Sequence, residues 1–262
     1  MKNLKQQFMG LGILAVLIFA GCEPDAAIPE SQLTQQEGKT FYCDKVNFCH
    51  GTIQSFVTMD SENKPMSLGV RFSESILTNL PSDPMKNVKE AVLKIPKEAK
   101  DVGIDHIELG WNPQGHEPDP IYTLPHFDLH FYKVSSSEQA SVVPGPDLVT
   151  VMSKYIPTDY ISGVIAVPNM GVHYVDLTSP EFTGSQFDKT FIYGFYKGSM
   201  TFLEPMFTRT FLQTKPNITI PIKQPASFQK AGYYPTSYRI SHNAGNNEYV
   251  VALDGLKYHA AD

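Results

Sequence analysis

Residues 125–132 read PHFDLHFY, and the alternation within this octapeptide decides how the rest of the chain is read. In an extended strand successive side chains point to opposite faces, so Phe127, Leu129 and Phe131 form an apolar stripe while His126, Asp128 and His130 form a polar one. One apolar face marks a strand packed on a core. The imidazole–carboxylate–imidazole row then faces a cavity or solvent.

Working outward, twelve short runs rich in β-branched and aromatic residues recur between turn residues, among them TIQSFVTM (52–59), SLGVRF (67–72), HIELGW (106–111), TFIYGFY (190–196) and EYVVAL (248–253). This spacing predicts a mainly β protein, an antiparallel β-sandwich or β-barrel. Two short helices are expected, at SESILTNL (73–80) and PDLVTVMSKYI (146–156), each ending near a proline. Gly194, inside an aromatic run, reads as a bulge. No composition break divides residues 39–262, which read as a single β-rich domain.

The chain begins MKNLKQQFMGLGILAVLIFAGC: two lysines, an apolar run from Phe8 to Ala20, then small residues before Cys22. That is the layout of a secretory signal, and Ala20-Gly21-Cys22 reads as a lipoprotein cleavage site. Residues 1–21 are the expected signal peptide. Cys22 is the expected lipidation site, and residues 22–38, polar and with two prolines, are the tether. The apolar run is shorter than the ~20 residues needed to span a bilayer. The expected location is therefore the bacterial cell envelope, with the lipid anchor as the membrane contact. In that oxidising setting the two remaining cysteines, Cys43 and Cys49, are expected to pair.

Lys+Arg number 21 against 27 Asp+Glu, a formal net charge of −6, and losing Lys2 and Lys5 with the leader makes the chain more acidic still. No nucleic-acid partner is expected, because phosphate binding needs a concentrated basic patch. There is no nucleophile elbow, phosphate-binding loop, dinucleotide fingerprint or HExxH motif. The histidines remain, and five of the eight lie between His106 and His173.

Neighbours at i and i+2 on a strand are about 6.5 Å apart and can share a metal, whereas His126 and His130, about 13 Å apart, need strong curvature. His116 can return to the same face across the turn DPIYTLP, and His173 and Glu204 sit on strand-like runs. The expected metal ligands are His116, His126, His130, His173 and Glu204, with Glu117 or Asp128 as base or orienting group. Such a donor set suits Zn²⁺, Fe²⁺, Mn²⁺ or Cu²⁺. The alternative is a non-catalytic envelope module, binding or structural, that holds no metal. A small-molecule ligand and a homo-oligomer stay open under both.

Four stretches, HGTIQSFVTMDSENKPMSLGVRFSESILTNLP (50–81), WNPQGHEPDPIYTLPHFDLHFY (111–132), VPNMGVHYVDLTSPEF (167–182) and KTFIYGFYKGSMTFLEPMFT (189–208), carry a resemblance. Over about residues 45–215 the chain resembles an uncharacterised family of secreted bacterial proteins, a domain of unknown function that includes a hypothetical Thermus protein. The resemblance implies an exported, tethered, β-rich domain and no particular activity. The polar positions recurring in that family match His116, Glu117, His126, Asp128, His130, His173 and Glu204, with no role attached.

Overall fold

The structure, a computed structural model, describes residues 38–83 and 89–262. The leader, Cys22 and all of the tether before Gly38 lie outside the described residues. In chain order the strands are β1 (Lys39–Tyr42), β2 (Val46–Phe48), β3 (Gly51–Met59), β4 (Pro65–Ser73), β5 (Lys89–Lys94), β6 (His106–Asn112), β7 (His126–Tyr132), β8 (Gly145–Pro146) and β9 (Tyr160–Val167). There follow β10 (Gly171–Asp176), β11 (Lys189–Tyr196), β12 (Ser199–Thr208), β13 (Asn217–Pro221), β14 (Gly232–Tyr234), β15 (Ser237–Asn243), β16 (Glu248–Asp254) and β17 (Lys257–His259). Two short α-helices, α1 (Ser136–Gln139) and α2 (Arg209–Gln213), interrupt them.

One sheet runs β1-β3-β4-β16-β15-β13, with β2 also on β3, and a second runs β5-β6-β7-β12-β11-β10-β9-β8, while β14 and β17 form a small ribbon. The fold is a mainly β, antiparallel sandwich. Among the described residues neither large sheet closes on itself, so the barrel alternative does not form. All twelve expected runs lie on strands. The sequence pattern missed β1, β2, β8, β14 and β17, which are too short for an alternation to show.

The two large sheets share one core. Leu93, Ile107, Leu109, Phe127, Leu129, Phe131, Leu203 and Phe207 from the second meet Ile53, Val57, Leu68, Val70, Phe72, Ile240, Val251 and Leu253 from the first. Each such burial contributes about 1.5–3 kcal/mol before conformational entropy is subtracted.

The helix expectations are corrected. Residues 73–80 make only a single 3₁₀ turn, Glu74–Leu77, because the entry is tied down by Thr52 N–H donating to Ser73 Oγ (2.9 Å) and Glu74 N–H donating to the Asn247 carbonyl (2.8 Å). Residues 146–156 start extended, as β8 pairs with β9 and the Asp147 carboxylate accepts from the N–H groups of Val149 and Lys197. Only Ser153–Tyr155 turn there. The α-helices form elsewhere, where caps exist: a Ser135/Glu138 capping box starts α1, and the Thr208 hydroxyl caps α2.

The expected disulfide is also corrected, since Cys43 and Cys49 are not bonded to each other. Cys43 N–H donates to the Ser55 carbonyl (3.2 Å), whereas Cys49 lies in the turn beyond Phe48, which pairs with Gly51. Ser55 and Gly51 are four residues apart on β3, about 13 Å. A disulfide spans at most about 7 Å between Cα atoms.

The outer face of the second sheet is not open to solvent, as a polar stripe on a half-exposed sheet would be. Tyr122, Tyr132, Phe187, Ile192, Phe202 and Met206 build a second apolar cluster on it, and His126, Asp128 and His130 are only 0, 6 and 3% exposed. Gly194 makes this layer possible. The ladder between β11 and β12 shifts register between Gly194 and Phe195, as the bulge reading expected, and a Cβ on Gly194 would stand 2.1 Å from the Phe202 ring. Gly194→Ala is therefore expected to cost about 1–3 kcal/mol by forcing that ring aside. Chemical unfolding measures it, and a change under about 0.5 kcal/mol would show that Phe202 does not need the space.

Candidate metal centre

The registers place the polar side chains in rows across the outer face. Met206 pairs with Asp128, Thr208 with His126 and Ile192 with Glu204. On the other side of β7, Glu108 pairs with His130 and Asn112 with His126. His173 on β10 pairs with Gly194. His116 reaches the face from the 113–125 loop, which folds back as expected: His116 N–H donates to the Tyr122 carbonyl at 2.9 Å. The close return needs Gly115, whose φ is +70° and whose Cβ would lie 2.1 Å from the Tyr122 oxygen.

The expected ligands do not share one cavity. They divide into two groups, His116 with His126 and Asp128, and His130 with His173 and Glu204, in each of which the donor atoms lie within 4.8 Å of one another. Either group could hold a metal ion. Asp128, read as a base or orienting group, belongs among the donors of the first. Glu117 belongs to neither; its side chain is exposed, and what it supplies is its backbone carbonyl, which accepts from His116 Nδ1 at 2.7 Å.

In the first group the backbone fixes the ring tautomers. His126 Nδ1 donates to the Leu124 carbonyl (2.7 Å) as His116 Nδ1 does to Glu117, because a carbonyl can only accept. In the neutral rings both Nε2 atoms therefore carry lone pairs. These face the carboxylate of Asp128, His126 Nε2 at 3.1 Å from Oδ1 and His116 Nε2 at 3.3 Å from Oδ2. Acceptor facing acceptor is unfavourable unless a cation or a proton stands between them. His126 Nε2 and Asp128 Oδ1 are buried with no hydrogen-bond partner among the described residues, while Oδ2 accepts from Asn112 Nδ2 at 2.6 Å. Burial alone would raise the Asp128 carboxyl, but His126 and His116 outweigh it and hold it well below the usual carboxylate range. Burial likewise opposes charge on His116, yet Asp128 prevails and raises its pKa.

The second group is more deeply set. His130 Nε2 lies 3.3 Å from Glu204 Oε1, and His173 Nε2 3.7 Å from Oε2. Burial pushes His130 down to about 4 and, with the neighbouring His130, pushes His173 down to about 3. The Glu204 carboxyl is raised well above its ordinary value by burial, then by the charge of Asp128. These are directions expected of ionisable groups enclosed by apolar rings.

Sequence reasoning overlooked a flanking network. His106 Nδ1 contacts Asp105 (2.9 Å) and its Nε2 contacts Gln139 Oε1 (3.1 Å), while Gln139 Nε2 donates to Glu108 (3.0 Å). Tyr132 stacks between His106 and His130, at 4.8 and 5.4 Å between ring centres. The signal was available in HIELGWN (106–112), whose alternation puts His106, Glu108 and Asn112 on one face just as PHFDLHFY does. Comparisons of the chain with protein-family models, with curated proteins and with solved structures return no match.

Proposed function

We propose that this chain is an envelope lipoprotein that holds a divalent transition-metal ion on His116, His126 and Asp128. One observation carries the reading: two Nε2 atoms, each with its Nδ1 committed to a backbone carbonyl, stand 3.1 and 3.3 Å from one carboxylate. Donors bound at about 2.1 Å around a tetrahedral Zn²⁺ are about 3.4 Å apart, so small movements would close the shell. The carbonyls act as the outer partners that fix ring orientation in metal sites.

Two imidazoles and a carboxylate suit Zn²⁺ and Fe²⁺ better than Ca²⁺ or Mg²⁺, which favour all-oxygen shells. Three protein donors leave a coordination position for water or a small ligand. His116, whose side chain is 37% exposed, is the solvent-facing side of the group. The leader ending in Ala20-Gly21-Cys22 supports the envelope location.

The test is metal content of the protein purified without a histidine tag, before and after dialysis against Zn²⁺. About one equivalent or more is expected in the wild type, with at least one equivalent lost in His126→Ala and in Asp128→Asn. Metal below about a tenth of an equivalent would leave Asp128 as an ion-pair partner of His116 in a metal-free module.

A further inference from the structure

We propose that His130, His173 and Glu204 form a second, separate site for a divalent transition cation, buried beneath the outer face of the sheet. The group uses none of the three side chains assigned above. Two of its donors are built into the interior: the His130 and Glu204 side chains are 4 and 1% exposed, and among the described residues His130 Nε2 and Glu204 Oε2 make no hydrogen bond. Leaving such atoms unmet inside a protein costs about 1–3 kcal/mol each. A cation placed among them meets both.

Its surroundings suit retention of an ion. Phe202 lies against both imidazoles, its ring 4.8 Å from that of His130 and 5.0 Å from that of His173. Glu204 is flanked across the ladder by Ile192, which is 1% exposed. An apolar shell of this kind limits solvent access to a metal. His173, with 21% of its side chain exposed, is the one donor of the three with substantial solvent contact.

The two groups are not halves of a bridged pair. Metal ions that act together on one substrate sit about 3.5–4 Å apart. Asp128 and His130 are two residues apart on one strand, about 6.5–7 Å between Cα atoms, and each carboxylate turns to its own pair of rings. Two single-ion sites follow, an outer one that exchanges readily and an inner one that exchanges slowly.

Zn²⁺ binding to the intact protein, counted by elemental analysis after equilibrium dialysis, tests this. Two equivalents are expected, falling to one in Glu204→Gln and in His173→Ala, and to one in His126→Ala. In the wild type a chelator should remove one equivalent at least tenfold faster than the other, and the slow one should be missing from Glu204→Gln. Glu204→Gln preserves volume; should it fail to unfold cooperatively, the more exposed His173→Ala supplies the same count. One equivalent, lost in His126→Ala and unaffected in both inner variants, overturns this proposal and leaves the first site standing. One equivalent lost in Glu204→Gln and His173→Ala but kept in His126→Ala supports the inner site and overturns the outer. Two equivalents that survive both inner substitutions, or none in any form, overturn it as well.

Discussion

Saturating the metal-free protein with Zn²⁺ is expected to raise its melting temperature by about 8–16 °C for a single filled site. The size follows from linkage: a ligand present at a thousand times its dissociation constant, bound only by the native state, adds about 4 kcal/mol. For a domain of 150–250 residues each kcal/mol is worth about 2–4 °C. His126→Ala and Asp128→Asn should each remove the outer share of that rise. Asp128→Asn is the sharper variant, because it keeps the shape of a side chain that contacts His116, His126 and Asn112 while deleting its charge. Calorimetry with and without Zn²⁺ decides the matter, and an unchanged melting temperature in the wild type would sink the metal reading.

The second large effect is the opposition of the two buried imidazoles and Glu204 in the pH dependence of stability of the metal-free protein. His130 and His173 are neutral in the native state down to about 4 and about 3, so between about pH 4.5 and 6.5 the unfolded chain binds two protons that the native protein does not. Glu204 acts oppositely, since its raised carboxyl keeps in the native state a proton that the unfolded chain releases above about pH 4.5. The imidazoles thus make stability rise with pH over this interval, and the raised carboxyls of Glu204, Glu90 and Glu181 offset part of that rise.

Above that the two buried imidazoles no longer contribute. His116 and His106, whose pKa values are raised, then make the native state the better proton binder. Stability falls as pH climbs through their native pKa values. Glu204→Gln should steepen the rise between about pH 4.5 and 6.5, because it removes a native-state proton that opposes the two imidazoles. Urea titrations in chelator at half-unit pH intervals provide the test; a Glu204→Gln variant whose stability rises no more steeply than the wild type's between about pH 4.5 and 6.5 contradicts the assignment.

The alternation in PHFDLHFY correctly separates Phe127, Leu129 and Phe131, which join the core between the sheets, from His126, Asp128 and His130, which do not. It could not separate His126 from His130 into different groups. That division depends on Glu204 arriving opposite His130 through the pairing of β7 with β12, about seventy residues downstream. It depends equally on Gly115 turning His116 back over Asp128. The helix expectations failed for a related reason. Local propensity in 146–156 was outweighed by hydrogen bonds to Val164 and Lys197, partners that no local window contains.

What the sequence determined by itself is therefore what a two-residue period can carry: strands, their faces, and a concentration of imidazole and carboxylate on one of them. The tertiary structure alone decided that this polar row is buried, because Ile192, Phe202 and Met206 on neighbouring strands of the sheet cluster with Tyr122 and Phe187 from outside its strands. It alone decided the donor state of the rings, since the carbonyls of Leu124 and Glu117 take the Nδ1 protons and leave Nε2 facing Asp128. Alternation is a property of one strand. Register, burial and tautomer are set by contacts between segments distant in the chain, and at this centre they set the chemistry.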